Sequence, residues 1–458
     1  MYKWFGMMKS NYDLVVIGAG TAGTLAAFAA KEEGLENVLL IDRKSRENIG
    51  RKICGDGIGT KHMTFLQEQG FPIKEQSVIK NKIALAKIVA PNSKVVSRIP
   101  VLGHLVILNR YQFGQTLLER TLAEGVTLMD KTTFSDIKRE NGEVKIALTK
   151  AGHKSEVITT PLVIDASGIN SKIRENPHFF APENSLADDE QYYCYREIAK
   201  IPSLPFKYRQ TAIFEFSFER TRGGYLWFFS RGNGELNMGC GIPKSWINQI
   251  NPKEVFQRYI ASRFKKYQTL DAGGGFVPTR QPIPSFVKDN IILVGDAGTL
   301  VNPIHGGGLS PSLNGGFLAG KIAAQKITEE AVTEADLWPY NIKIVERYCQ
   351  RYAILDLYRI LLQNIPDEEL LQALEKGYFP LGKIFYARKY EKLLALSRKL
   401  GEQWAQLPDP RFNLLPEYLE SIHTLTSNYP TTPTELDSWA TKYRSIYRSY
   451  QQKVQFTP

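Results

Sequence analysis

The chain reads as an α/β protein: a Rossmann-like dinucleotide-binding domain, a mixed-sheet substrate domain and a C-terminal helical region. Three observations predict this. An apolar run, LVVI, leads into Gly18-x-Gly20-x-x-Gly23 and a small-residue helical pattern, and a second apolar run, VLLI, closes at Asp42. Tyr225, Trp227 and Phe229 alternate with period two, the pattern of a strand with one aromatic face. Beyond about residue 335 apolar side chains recur at helical spacing, as in YAILDLYRILLQNI at 352–365. The expected division is 10–180 for the first part of the dinucleotide domain, with a substrate-domain insertion near 70–105. An antiparallel-sheet substrate domain follows at 181–280, the second part of the dinucleotide domain at 281–334, and helices at 335–458.

Size and composition set the outer limits. A chain of 458 residues exceeds what one hydrophobic core usually organises, so two or three domains are expected. Hydrophobic residues at 43% and charged residues at 23% are those of an ordinary globular protein, without repeats or low-complexity tracts. The formal charge of +11 points either to an anionic partner (phosphate groups, an acidic redox protein, a membrane surface) or to solvated surface lysines. No dense basic block interleaved with aromatics occurs, so nucleic acid is not an expected partner. Cys54, Cys194, Cys240 and Cys349 show no C-x-x-C spacing, so neither zinc nor a disulfide framework is expected and a reducing cytoplasm fits. Lys3 and Lys9 ahead of the apolar run 14–30 imitate a leader peptide, but Asp13 and three glycines argue against one. No other uncharged apolar run reaches the ~20 residues of a spanning helix. Any membrane contact is therefore expected to be peripheral, on the inner face of the cell membrane, by a monomer.

Residues 12–42 carry the dinucleotide fingerprint in full: strand, glycine turn, helix, strand, acid. Gly18 permits the tight turn, Gly20 lets the backbone approach a pyrophosphate, and Gly23 lets the helix pack close to the strand. The helix N-terminus offers its free N–H groups to the phosphates. Asp42, 24 residues after Gly18, stands where a carboxylate binds the adenosine ribose hydroxyls, with Arg43 beside it. These features do not by themselves distinguish NAD from FAD.

Two later segments bear on that choice. LVIDASGINSKIR at 162–174 is an apolar strand ending in Asp165 and a small-residue turn. NIILVGDAGTLVNPIHGGGLSPSLNGG at 290–316 is a strand, then Gly295-Asp296, then a Pro- and Gly-rich loop feeding a helix. Here the chain resembles the flavoproteins that include aromatic hydroxylases and geranylgeranyl reductases. That resemblance implies FAD, with Asp296 on the ribityl hydroxyls, Arg110 near the ribityl and phosphate portion, and Gly307 and Gly308 at the isoalloxazine ring. A helix N-terminus after these glycines would also stabilise negative charge on a reduced flavin. No second GxGxxG followed by an acid appears, so electrons are expected from an external donor: ferredoxin, NAD(P)H or another reduced carrier.

Three stretches narrow the resemblance to archaeal-type geranylgeranyl reductases: RKICGDGIG at 51–59, NPIHGGG at 302–308, and GGYLWFFSRGNGELNMGCGI at 223–242. The last is similar to a Y-x-W-x-F-P motif held against the isoprenoid chain, with Ser230 in place of the proline and Arg222 where an earlier proline stands. The resemblance covers about residues 10–330. It implies reduction of carbon–carbon double bonds in geranylgeranyl diphosphate or archaeal-type digeranylgeranylglycerol phospholipids. It places Cys54 and Gly55 at the flavin and Tyr225, Trp227 and Phe229 on the polyprenyl chain. Lys52, with Arg51, is left between the substrate's phosphate head and an FAD phosphate.

Alkene saturation needs a hydride equivalent at one carbon and a proton at the other, with no carbonyl to take up charge. Candidate proton sources are Cys54, Tyr225, His305, Asp56 or water. Each candidate also has a plainer reading: the aromatic stripe as ordinary core, His305 as a hydrogen-bonding partner of its own loop, Cys54 as a small apolar filler. The C-terminal helices, including the basic and aromatic stretch 378–400, read as a cap on the sheet or as a mouth facing an anionic membrane. Competing functions are a flavin hydroxylase or epoxidase, a reductase of an isoprenoid-quinone tail, and a non-catalytic polyprenyl-lipid-binding flavoprotein.

Overall fold

The computed structural model describes residues 12–71, 73–91, 94–150, 155–327, 331–386 and 390–455. Lys3 and Lys9, both ends of the expected domain series (10–11 and 456–458), and 387–389 of the basic stretch lie outside the described residues.

The chain opens with β1 (Leu14–Ile17), α1 (Thr21–Glu32) and β2 (Val38–Ile41). It crosses to a second sheet through β3 (Gly57–Gly59), α2 (Lys61–Glu68), α3 (Glu75–Val78), β4 (Ile79–Val89) and β5 (Val96–Leu108). It returns with α4 (Arg110–Ala123) and β6 (Thr127–Met129), forms a meander of β7 (Thr132–Glu140), β8 (Glu143–Lys150) and β9 (Glu156–Thr160), and adds β10 (Leu162–Asp165). A second crossing contributes β11 (Gln191–Lys200), β12 (Thr211–Phe216), α5 (Phe218–Thr221), β13 (Tyr225–Gly232), β14 (Glu235–Pro243), α6 (Pro252–Tyr259) and β15 (Gln268–Pro278). β16 (Val287–Lys288), β17 (Ile291–Leu293) and α7 (Leu309–Lys326) complete the first layer. The remaining helices are α8 (Glu334–Ile344), α9 (Gln350–Leu362), α10 (Asp367–Glu375), α11 (Leu381–Tyr386), α12 (Tyr390–Trp404), α13 (Leu415–Ser427) and α14 (Leu436–Val454).

The first sheet has the order β16-β17-β10-β1-β2-β6, parallel except for the β16 edge. Its strands are continuous apolar runs because α1 and α7 and the β7–β9 meander pack over them, and β1, β2 and β10 are buried at every residue. The second sheet has the order β15-β11-β14-β13-β12-β4-β5-β3, antiparallel except for the β12–β4 pair. It takes in the stretch near 70–105, and it also takes in the tail of RKICGDGIG, because β3 pairs with β5 from Gly57↔Ile107 to Gly59↔Leu105.

α1 and α7 lie side by side against the first sheet, and small residues set their separation. A Cβ added at Gly316 would come 2.1 Å from the Ala22 carbonyl oxygen, and one at Gly320 2.1 Å from that of Ala26. Backbone cannot yield as a side-chain tip does, so the helices can pack this closely only with glycine at both positions. Gly320→Ala should therefore destabilise the protein by about 1–3 kcal/mol through overpacking, despite the ~1 kcal/mol that alanine gains in an open helix. The check is a thermal melt of the purified protein, where a raised melting temperature would contradict the packing argument.

Candidate functional site

At the carboxyl ends of β1 and β2 the backbone does most of the work. Gly18 adopts φ +101° and a Cβ there would lie 2.4 Å from the Ala166 carbonyl oxygen, so β1 can turn into α1 only through glycine. Gly23 packs on the Gly18 carbonyl, where a Cβ would come within 1.8 Å. Gly20 differs: it is exposed, no atom lies within 4 Å of its Cβ position, and it caps α1 with no side chain. Open backbone ahead of a helix N-terminus is a phosphate cradle. Asp42 accepts the Ala19 and Lys44 N–H groups at 2.8 Å each, which orients its carboxylate toward the glycine turn and leaves further lone pairs for hydroxyl donors.

Cations surround this cradle. Burial pushes the Lys44 ammonium down, as do Arg43, Lys52 and Arg110 nearby, against the pull of Asp42. Arg110, buried at the start of α4, donates to Thr21 Oγ1 at 2.6 Å, while its Nε and Nη1 are buried without a partner. A buried guanidinium with two unspent nitrogens is costly unless a ligand completes it. These features fit the phosphate and ribityl portion of FAD. Lys52 Nζ pairs with Asp296 Oδ2 at 2.6 Å. Arg174, fully buried, donates to the Ala297 carbonyl at 3.2 Å and the Ile169 carbonyl at 2.7 Å, fastening the turn after β10 to the loop that carries Asp296.

The glycine loop ahead of α7 meets the aromatic face of β13. Tyr225 Oη donates to the His305 carbonyl oxygen at 2.7 Å. His305 Nδ1 accepts the Gly307 N–H at 3.2 Å, and the Ile304 and His305 N–H groups both donate to Asn302 Oδ1. Burial, with Arg351 nearby, lowers the imidazole to about 4. His305 is therefore neutral at physiological pH and holds its own loop together. Gly308 is the N-cap of α7, and a Cβ there would lie 3.2 Å from Asp296 Oδ1.

Tyr225, Trp227 and Phe229 share one face, while Leu226 and Phe228 pack in a separate core on the other. Two rings that the period-two pattern did not reveal complete the aromatic wall. Phe214 of β12 lies 4.8 Å from Phe229 and 5.4 Å from Tyr225, and Phe385 of α11 lies 4.5 Å from Phe214 and 5.2 Å from His305.

The RKICGDGIG loop presses on this wall. A Cβ at Gly55 would stand 2.8 Å from the Phe229 ring. Cys54 is half-buried, its Sγ accepts the Asp56 N–H at 3.3 Å, and burial together with Asp56 raises its thiol above the ordinary range. All four cysteines are free thiols. Asp56 sits in the left-handed region at φ +64°, 1% exposed, with Oδ2 accepting Arg231 Nη1 at 2.7 Å and Asn237 Nδ2 at 2.9 Å. Burial raises its carboxyl, and Arg231 opposes the shift. Asn237, Arg231 and Lys44 carry no motif signal, since their roles depend on strand pairing and loop closure over long separations. Among the described residues no group of three or more His, Cys, Asp or Glu is arranged to hold a metal ion.

The two departures from the aromatic motif have structural accounts. Ser230, 2% exposed, accepts Asn81 Nδ2 on both its carbonyl (3.0 Å) and its hydroxyl (3.1 Å), tying β13 to β4. Arg222 ends α5 at φ +50°, with its guanidinium 4.5 Å from the Trp246 ring and 4.8 Å from that of Phe218.

Comparison with known proteins follows the same division. A family model described as FAD dependent oxidoreductase matches residues 13–170, and one described as geranylgeranyl reductase catalytic domain matches 193–277. A digeranylgeranylglycerophospholipid reductase of Sulfolobus acidocaldarius is 29% identical over 98% of this chain and 100% of its own length. One from Methanoculleus marisnigri is 30% identical over 73% of this chain and 82% of its own. Among solved structures, a geranylgeranyl bacteriochlorophyll reductase-like protein from Thermoplasma acidophilum superposes with a TM-score of 0.69 at 20% identity, covering 96% of this chain and 98% of its own.

Two measurements test the site. Arg110→Leu removes a charge-assisted donor and should weaken FAD binding about 10- to 100-fold in a fluorescence titration of apoprotein. His305 and His62, the latter 7% exposed on α2, are both held near 4 against an ordinary 6.5. The unfolded chain thus takes up protons first, so their contribution to stability is full above pH 6.5 and lost as pH falls toward 4. The melting temperature should fall across that window, and less steeply in His62→Gln.

Proposed function

The chain belongs to the digeranylgeranylglycerophospholipid reductase family, and on that premise we propose how its own residues divide the reduction of geranylgeranyl double bonds. It is an FAD-dependent oxidoreductase acting on carbon–carbon double bonds. Gly18, Gly20, Gly23, Asp42, Lys44, Lys52, Arg110 and Asp296 hold the cofactor, which when bound and reduced supplies the hydride equivalent. The polyprenyl chain lies along Tyr225, Trp227, Phe229, Phe214 and Phe385, a dry wall without charges of its own. Its ring faces tolerate the positive charge that develops at the tertiary carbon.

A proton must reach the other alkene carbon. Tyr225 Oη is committed to the His305 carbonyl, His305 is neutral, and Asp56 is paired with Arg231 and Asn237. The Cys54 thiol is kept protonated by burial, and it is not spent as a donor to Asp56, from which it accepts. We therefore assign proton delivery to Cys54 Sγ. The thiolate left behind is favoured by Arg110 and Lys52, which both oppose the upward shift, and it regains its proton from solvent.

One junction carries this reading: Gly55 stands against Phe229 while Tyr225 bonds the loop of His305, so the early loop, the aromatic wall and the glycine loop ahead of α7 converge. The substrate is a polyprenyl lipid, as the geranylgeranyl diphosphate or as a digeranylgeranylglycerol phospholipid met at the membrane surface, and electrons come from an external carrier. No helix among the described residues is long and apolar enough to cross a membrane.

Dithionite-reduced, FAD-loaded enzyme mixed anaerobically with geranylgeranyl diphosphate should yield products heavier by one H2 per double bond. Cys54→Ala should slow the reaction on the order of 10²-fold, as expected for loss of a positioned acid, with flavin content unchanged. Product carrying oxygen when the reaction is run in air would refute the reductase assignment, and an undiminished Cys54→Ala rate would refute the role of the sulfur.

A further inference from the structure

Asn237 is 0% exposed on β14, opposite Phe229 of β13 in register, and every polar atom of its amide is spent on the site. Its Oδ1 accepts the Trp227 indole Nε1–H at 2.9 Å. Its Nδ2 donates to the Cys54 carbonyl oxygen at 2.8 Å and to Asp56 Oδ2 at 2.9 Å. One planar group therefore joins a ring of the aromatic wall to the peptide of the thiol-bearing residue. Cys54 lies 183 residues from Asn237 in sequence, whereas Trp227 is 10 residues away on the paired strand β13.

We propose that Asn237 is a positioning residue that clamps the Cys54 loop to Trp227, setting the thiol and the indole relative to each other across the substrate chain. The inference rests on the reductase reading for its kinetic consequence but not for its geometry.

The surroundings explain why one amide has this much control. The loop is glycine-rich, Arg51 and Lys52 are exposed, and Asp56 holds a left-handed conformation uncommon for a residue with a side chain. Local preference does not hold such a loop in place. Arg231 neutralises Asp56 and also donates to the Leu108 carbonyl at 3.2 Å, anchoring the loop's far end to β5. Arg231 bonds Asp56 and Leu108, whereas Asn237 bonds both the loop and the ring, and it reaches Cys54 itself. Asparagine is the suitable residue because the clamp needs one acceptor and two donated hydrogens in a plane. An aspartate would keep the acceptor for Trp227 and lose both donors, and when ionised it would stand beside Asp56.

The test uses the FAD-loaded enzyme and two readouts. Asn237→Leu should lower kcat on the order of 10- to 100-fold, the scale of a reacting group displaced by about an ångström. Carbamidomethylation of Cys54 by iodoacetamide, followed by peptide mass spectrometry, should quicken about tenfold as the loop is released. Asn237→Asp should recover activity relative to wild type as pH falls from 8 to 5, because only the protonated carboxyl can donate to the Cys54 carbonyl. Where Asn237→Leu does not fold, Trp227→Phe removes the indole donor alone, and its Cys54 alkylation should also quicken.

A folded, flavin-loaded Asn237→Leu with wild-type kcat and wild-type Cys54 alkylation would overturn the proposal. So would an Asn237→Asp to wild-type activity ratio that stays flat with pH, or unchanged alkylation in Trp227→Phe. Alkylation needs no turnover, so an enzyme that fails to reduce prenyl substrate but shows the alkylation changes separates failure of the reductase reading from failure of the clamp.

Discussion

The buried ion pair between Asp56 and Arg231 decides where the two sheets meet. Removing two charges from water costs several kcal/mol per ion, and the pair recovers this only when its geometry is good and the remaining valences are met. Here Arg231 and Asn237 both bond Asp56 Oδ2 and Arg231 also bonds the Leu108 carbonyl, while Asp56 Oδ1 and Arg231 Nε are buried without a hydrogen-bond partner, so the compensation is partial. The loop that leaves the cofactor-side sheet thus ends not in solvent but against the middle of the substrate sheet. Its next residues become the edge strand β3. Losing either charge would leave the other stranded at 1% or 7% exposure, so loop and sheet are bound to move as one body.

The cofactor side obeys a different constraint. Its close contacts are backbone on backbone, at Gly18, Gly23, Gly316 and Gly320, where any side chain would collide with a carbonyl or the atoms bonded to it. Such contacts build a rigid socket but provide little charge selectivity. The charge near it comes from Lys44, which Asp42 attracts, and from Arg43, Lys52 and Arg110, which oppose it. These cations repel one another, and two nitrogens of Arg110 are buried without a partner. A dianionic pyrophosphate relieves both defects at once.

How much of this was legible in the chain differs by the range of the interactions. The dinucleotide fingerprint lies within 31 consecutive residues and its chemistry is local, so strand, turn, helix and acid follow from spacing alone. The same holds for Tyr225, Trp227 and Phe229, whose common face follows from strand period. Asn237 was not legible: it lies 181 residues from Asp56, in a segment singled out for its aromatic residues rather than its amide. Phe385 was hidden for a related reason. Its helix reads as part of a cap, and only the packing of α11 on β5, where a Cβ at Gly382 would come 2.7 Å from Ser97, brings its ring onto Phe214. His305 was left between a proton source and a partner of its own loop, and its Nδ1 accepts the Gly307 N–H. Lys52 was left between substrate head and cofactor phosphate, and it pairs with Asp296 Oδ2 at 2.6 Å.

The serine at position 230 shows why a departure from a motif need not change what the motif does. Proline at a strand end removes a donor and fixes φ, so its usual contribution is to stop the ladder after the last aromatic residue. In this chain the register between β13 and β14 shifts between Ser230 and Gly232, so the regular ladder is interrupted at the same point by other means. Ser230 also presents a carbonyl and a hydroxyl to Asn81 of β4, a connection that a proline ring supplies only in part. The aromatic residues on the N-terminal side of the interruption keep their common face, and Phe229 keeps its contact with Gly55. What the substitution alters is the joint between β13 and the β4–β5 hairpin, one side-chain layer behind the wall. Any effect on substrate preference must therefore pass through the placement of β4 rather than through the rings themselves.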